Sequence, residues 1–161
     1  MLWLYAAILL AMTAGLVAAY RLLGTPSRLT PHDYAVVLAD VATSVERAAG
    51  RLRAALEVPD TDLEAAAREG KKIFQTGYYQ TLRLRPTSGP DALAPARAEL
   101  GRACEAYDWA SRMIGSESRR NPLIRESALR LLDAGDAALS QAARELPASL
   151  PSPHESTAPS A

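Results

Sequence analysis

Apolar residues run without a charged side chain from Met1 to Tyr20, and then give way to a repeat of three and four residues that persists to Leu146. The first pattern predicts a membrane-spanning helix, because about 20 residues at a rise of about 1.5 Å each cover about 30 Å, the thickness of a bilayer's hydrocarbon core. Trp3 and Tyr5 near one edge and Tyr20 at the other fall where amphipathic rings prefer the headgroup region, and Arg21 closes the run. Residues 1–23 are therefore expected to form a transmembrane anchor, with a linker over 24–29. The same run also reads as a cleavable signal peptide: Val17-Ala18-Ala19 offers the small residues a signal peptidase needs, although only the terminal amine supplies positive charge ahead of it. Ala7, Ala11, Gly15 and Ala19 recur every fourth residue, a row of small side chains against which a second transmembrane helix can pack. The run is so rich in alanine that small residues also fall on other faces.

The second pattern predicts four amphipathic helices. Thr30, Pro31 and Asp33 read as an N-cap, a proline at the first helical position and an acid in the first turn. Tyr34, Leu38, Val41, Val45, Ala48, Leu52 and Ala55 then fall on one stripe, in the alternating steps of a coiled-coil seam. Val58-Pro59-Asp60 stops this helix, and Thr61 with Glu64 reads as a capping box that starts a second one. The second stripe is Leu63, Ala67, Gly70, Phe74, Gly77 and Thr81, and the helix is expected to continue to about Arg85 before Pro86. A third stripe runs from Leu93 through Leu100, Ala103 and Tyr107 to Ile114, and a fourth helix, capped at Asn121-Pro122, places Ala128, Leu132, Gly135, Leu139, Ala142 and Leu146 on one face. The connection over 86–94, with two prolines and a glycine, is expected to be loose.

Short connections favour antiparallel neighbours, so the fold class is all-α: a transmembrane helix followed by an up-down-up-down four-helix bundle over residues 30–146. The Pro/Ser-rich stretch 147–161 lacks periodicity and is expected to be disordered.

Composition narrows the chemistry. Hydrophobic residues make up 48% of the chain but aromatics only 6%, so the core is expected to be rich in alanine and leucine. Eighteen basic residues balance eighteen acidic ones, which gives nucleic acid no electrostatic handle. One cysteine rules out an internal disulfide, and two histidines, His32 at a helix start and His154 in the tail, are too few and misplaced for a metal or haem centre. No cofactor is expected. Cys104 borders the third stripe without an evident histidine partner and reads as a packing residue, and the acids Asp133 and Asp136 read as solvated.

One local feature stands out against this neutral background. Lys71, Lys72, Arg83 and Arg85, interleaved with Tyr78 and Tyr79, lie in a segment with no acid between residues 70 and 90. In an up-down bundle the end of the second helix returns towards the membrane, so these residues, with Arg21 and Arg28, are expected to contact lipid or a partner, unless they form an ordinary solvated face. Arg21 and Arg28 lie beside the span with nothing basic before it, which favours a cytoplasmic bundle. At the opposite end Glu57, Asp60, Asp62 and Glu64 gather near Arg119 and Arg120 as a mixed-charge tip. The sequence thus predicts a single-pass membrane protein with a non-enzymatic helical interaction module, an accessory subunit or scaffold whose partners are lipid and either a protein or a second copy of the chain. The alternative is an exported or soluble helical ligand-binding protein, released near Ala19, with a pocket beside Gly70, Gly77, Phe74 and Tyr107.

Overall fold

The computed structural model describes residues 27–58, 62–115, 118 and 120–147, together with residues 12, 13 and 15. A short strand, β1 (Ser27–Leu29), leads into helix α1 (Pro31–Glu57); α2 (Leu63–Arg83) continues into a second strand, β2 (Leu84–Pro86), before α3 (Ala94–Met113) and α4 (Pro122–Glu145). The helical starts are specified locally. Thr30 accepts the Asp33 N–H at 3.2 Å and donates its hydroxyl to the Asp33 carboxylate at 2.7 Å, ahead of Pro31. Asn121 accepts the Leu123 N–H at 3.0 Å, ahead of Pro122. The start of α2 differs from the expected capping box: Asp62 is the cap, its Oδ1 accepting the Ala65 N–H at 2.9 Å. Asp62 is itself a strong capping residue placed directly before the first buried leucine, and Thr61 lies outside the described residues.

Burial follows the sequence stripes on all four helices. The contacts between them run in opposite directions. Arg51 of α1 pairs with Glu69 of α2, whereas Gly77, later in α2, lies against Val45 and Val41, earlier in α1. Likewise Phe74 stacks on Tyr107, Gly77 meets Cys104 and Thr81 meets Gly101 along α2 and α3. Helix α4 packs mainly on α3, and the seam between α4 and α1 is the least extensive of the four. Alanines at ten core positions, among them Ala48, Ala103, Ala110 and Ala128, give the interior the small-residue character expected from composition.

Two expectations are corrected at one end of the bundle. Helix α2 stops at Arg83 rather than about Arg85, and residues 27–29, read as linker, form a strand. The strands pair in parallel, with Ser27 opposite Leu84, Arg28 opposite Arg85 and Leu29 opposite Pro86. Pro86 disfavours a helical Arg85, and the extended backbone lets Leu84 bury its side chain in the core. Because β1 enters α1 and β2 leaves α2, a parallel ladder is possible only where the start of α1 lies beside the end of α2. Thr87 secures it, its N–H and hydroxyl both donating to the Leu29 carbonyl, at 2.8 and 2.9 Å.

Among the described residues no helix is long and apolar enough to cross a membrane. The span expected over 1–23 lies outside them except for residues 12, 13 and 15, as do residues 24–26 of the linker and the tail from 148 onward.

The close helix contacts give opposite expectations for two glycines. A Cβ at Gly135 would stand 2.4 Å from the Tyr107 ring, which is fully buried, whereas a Cβ at Gly50 would meet nothing within 4 Å. Gly135→Ala should destabilise the bundle by about 1–3 kcal/mol through overpacking. Gly50→Ala should stabilise it by about 0.5–1 kcal/mol through helix propensity. Denaturant titration followed by circular dichroism reads both; equal effects would contradict this packing.

Candidate functional site

The basic residues predicted as one cluster separate into two groups. Lys71 and Lys72 lie about three helical turns before Arg83, roughly 18 Å along α2. Lys72 lines a groove between α1 and α2 with Asp40, Ser44, Thr76 and Gln80. Arg83 and Arg28 are exposed at the ladder end, while Arg85 is half-buried and donates to the Leu84 and Thr81 carbonyls at 2.6 and 3.3 Å, closing the end of α2. Arg85 therefore serves the fold, because Pro86 ends the helix and leaves those carbonyls in need of donors. Arg21 lies outside the described residues.

The same end is locked from inside. Arg97 of α3 donates through Nε to the Tyr34 hydroxyl at 2.9 Å, through Nη2 to Asp91 at 2.9 Å and through Nη1 to the Thr81 carbonyl at 3.3 Å. One guanidinium thus joins α1, α2 and the connection before α3. That connection, expected to be loose, is tied at Thr87 and again at Asp91. Burial raises the Tyr34 pKa, against the opposing charge and hydrogen bond of Arg97.

In the middle of the bundle, Phe74 and Tyr107 are fully buried with ring centroids 5.2 Å apart. Phe74 fills the space beside Gly70, 3.1 Å from where a Cβ would stand, and Gly77 is covered by Cys104 and Val45. The four residues of the expected ligand pocket do not line one cavity: Gly77 borders the groove between α1 and α2, and Tyr107 borders the opening along the α1–α4 seam. The Tyr107 hydroxyl donates to Asp136 Oδ1 at 2.7 Å, and Arg53 bridges Asp136 and Asp133 at 2.6 and 3.0 Å. The two acids are exposed, as expected, at 68% and 51%, yet both pair with Arg53 of α1, and Asp136 also accepts from Tyr107 of α3. Burial pushes the Cys104 thiol up to about 12, and burial together with Asp136 raises Tyr107 strongly. Both are neutral at physiological pH, which makes Cys104 a poor nucleophile.

Tyr78 and Tyr79, with an edge-on ring contact at 6.3 Å, lie at the boundary of α2 with α3. With Trp109, Glu105, Asp108 and Arg112 they line a groove of 240 Å³ whose floor includes Cys104. Tyr79 is 63% exposed and Trp109 53%. The Arg112 guanidinium lies 5.1 Å from the Trp109 ring centre and pairs with Asp108 at 2.7 Å. The sequence reading passed over Trp109; its spacing from Glu105 and Arg112, one turn to either side, was the available signal. A third, larger opening of 770 Å³ follows the sparse α1–α4 seam and is lined by small residues such as Ala42, Gly50, Ser140 and Ala143.

The remaining candidates are dispersed. Gly15 is helical and exposed, and a Cβ there would meet nothing within 4 Å; Ala7, Ala11 and Ala19 lie outside the described residues. At the distal tip Glu57 and Glu64 are exposed and Asp62 is engaged as a cap, while Asp60 and Arg119 lie outside the described residues. Among the described residues no group of three or more histidine, cysteine, aspartate or glutamate side chains is placed to hold a metal ion. No protein family, curated protein or solved structure matches this chain.

The buried thiol and phenol set a pH dependence. An unfolded thiol ionises near 9.0 and a free phenol near 10.0, but both stay neutral in the fold. Stability should be full below pH 9.0 and fall as pH rises towards 12, since the raised folded values favour the protonated, native form. Denaturation midpoints across that range test this. Native Cys104 should also resist a thiol reagent at about pH 8 and react on unfolding; rapid labelling of the native protein would contradict its burial.

Proposed function

We propose that this protein is a single-pass, membrane-anchored helical interaction module, a non-enzymatic accessory subunit or scaffold of a membrane complex with its bundle on the cytoplasmic side. The observation that carries this reading is the uncharged run Met1–Tyr20, bounded by aromatic residues and followed by Arg21. The arrangement of the bundle supports it. The chain enters the bundle at the ladder end, where Arg28 and Arg83 are exposed, and basic residues near an anionic leaflet contribute about 1 kcal/mol each. Exposed aromatic rings along α2 and α3 suit contact with another protein. Membrane lipid and a protein, or a second copy of the chain, are the partners on this reading.

Intact mass and fractionation of the natively expressed protein test the anchor. A full-length mass in the membrane pellet, resistant to high salt and alkaline washing, is expected, with the bundle open to protease only from the cytoplasmic face of vesicles. A mass beginning at Tyr20 in a soluble or exported fraction would replace this reading with an exported ligand-binding bundle.

A further inference from the structure

Among the openings between described residues, the aromatic groove between α2 and α3 combines stacking surfaces with a carboxylate, that of Asp108, whose hydrogen bonding is incomplete. Arg112 comes from the same helix as Asp108, one turn away, and directs both Nε and Nη2 at a single oxygen, Oδ2, at 2.8 and 2.7 Å. Asp108 Oδ1 is buried and has no hydrogen-bond partner. A carboxylate that takes a guanidinium fully uses both oxygens, in two parallel bonds. The tether along the helix therefore leaves the pair half made.

The surroundings favour a second cation. Glu105 and Asp108 set two negative charges against the one positive charge of Arg112. The exposed faces of Tyr79 and Trp109 offer quadrupoles to a cation, and Arg112 already demonstrates the geometry over Trp109. Arg112 is 44% exposed whereas Asp108 is 15% exposed, so the arginine is the member of the pair that can be exchanged. A planar guanidinium suits this combination better than an ammonium, since it forks onto a carboxylate and stacks on a ring at once. The groove, at 240 Å³, has room for a side chain but not for a helix. By contrast, Asp136 on the α1–α4 seam is already engaged by Arg53 and by the Tyr107 hydroxyl.

We propose that the groove between α2 and α3 binds an arginine side chain presented by a partner protein, its guanidinium displacing Arg112 from Asp108 and stacking between Tyr79 and Trp109. This deepens the interaction-module reading by naming the partner's chemistry, and it holds whether or not the N-terminal run is a membrane anchor.

The test uses the full chain in detergent micelles with Trp3→Phe, which leaves Trp109 as the single tryptophan of the two in the sequence. A blocked Gly-Arg-Gly peptide is titrated against Trp109 fluorescence, beside peptides with citrulline or lysine in place of arginine. A saturable change is expected with arginine and none with citrulline, the neutral isostere. Arg112→Gln should tighten binding about fivefold by removing the internal competitor, and Asp108→Asn should abolish it. No saturable response in either the parent or Arg112→Gln would overturn the proposal, as would an equal response to citrulline or lysine. Arg112→Gln removes only an exposed side chain, so the result stands even if Asp108→Asn fails to fold. The anchor is judged separately, by fractionation.

Discussion

The bundle is organised around Tyr107. Its ring, contributed by α3, stacks on Phe74 of α2 and occupies the space that Gly135 of α4 leaves by having no Cβ. Its hydroxyl reaches Asp136, which Arg53 of α1 holds. One side chain therefore ties together, directly or through a single carboxylate, α1, α2, α3 and α4. A buried phenol needs a partner for its hydroxyl, and that need draws the α4 acids and the α1 arginine to the same place.

A core that mixes many alanines with its leucines brings helices close but buries less apolar area per residue. Polar ties compensate for this. At mid-height the tie is Tyr107 with Asp136 and Arg53; at the ladder end it is Arg97 with Tyr34, Asp91 and Thr81. Small side chains also leave seams open at the surface, among them the grooves between α1 and α2, between α2 and α3 and along α1 and α4. In the proposed function these seams, and not an internal pocket, provide the surfaces for partners.

The ladder end joins the N-terminal run to the bundle. Strand β1 hands the chain from that run into α1 while paired with the exit of α2, so a pull on the N-terminus is shared between two helices. Arg28 and Arg83 are exposed there, whereas Arg85 is drawn in to the carbonyls of Leu84 and Thr81.

The four bundle helices, the buried stripe of each and two of the caps were legible in the sequence, because periodicity and capping depend on neighbours within a few residues. Short turns likewise implied that sequential helices pack side by side. The strand pairing of residues 27–29 with 84–86 was not legible, since three-residue strands leave no periodic signal and their partners are far apart in the chain. The roles of Asp133, Asp136 and Arg53 were hidden for a related reason. On isolated helices they look like solvent-facing charges, and only packing showed that α1 and α4 face each other across them. The same applies to Trp109, whose position off the buried stripe marks it as a surface residue, while its place beside Tyr79 comes from α2. Sequence by itself determined what each segment does with its own neighbours; tertiary structure alone decided which charges and rings meet, because those contacts join residues that share no local pattern.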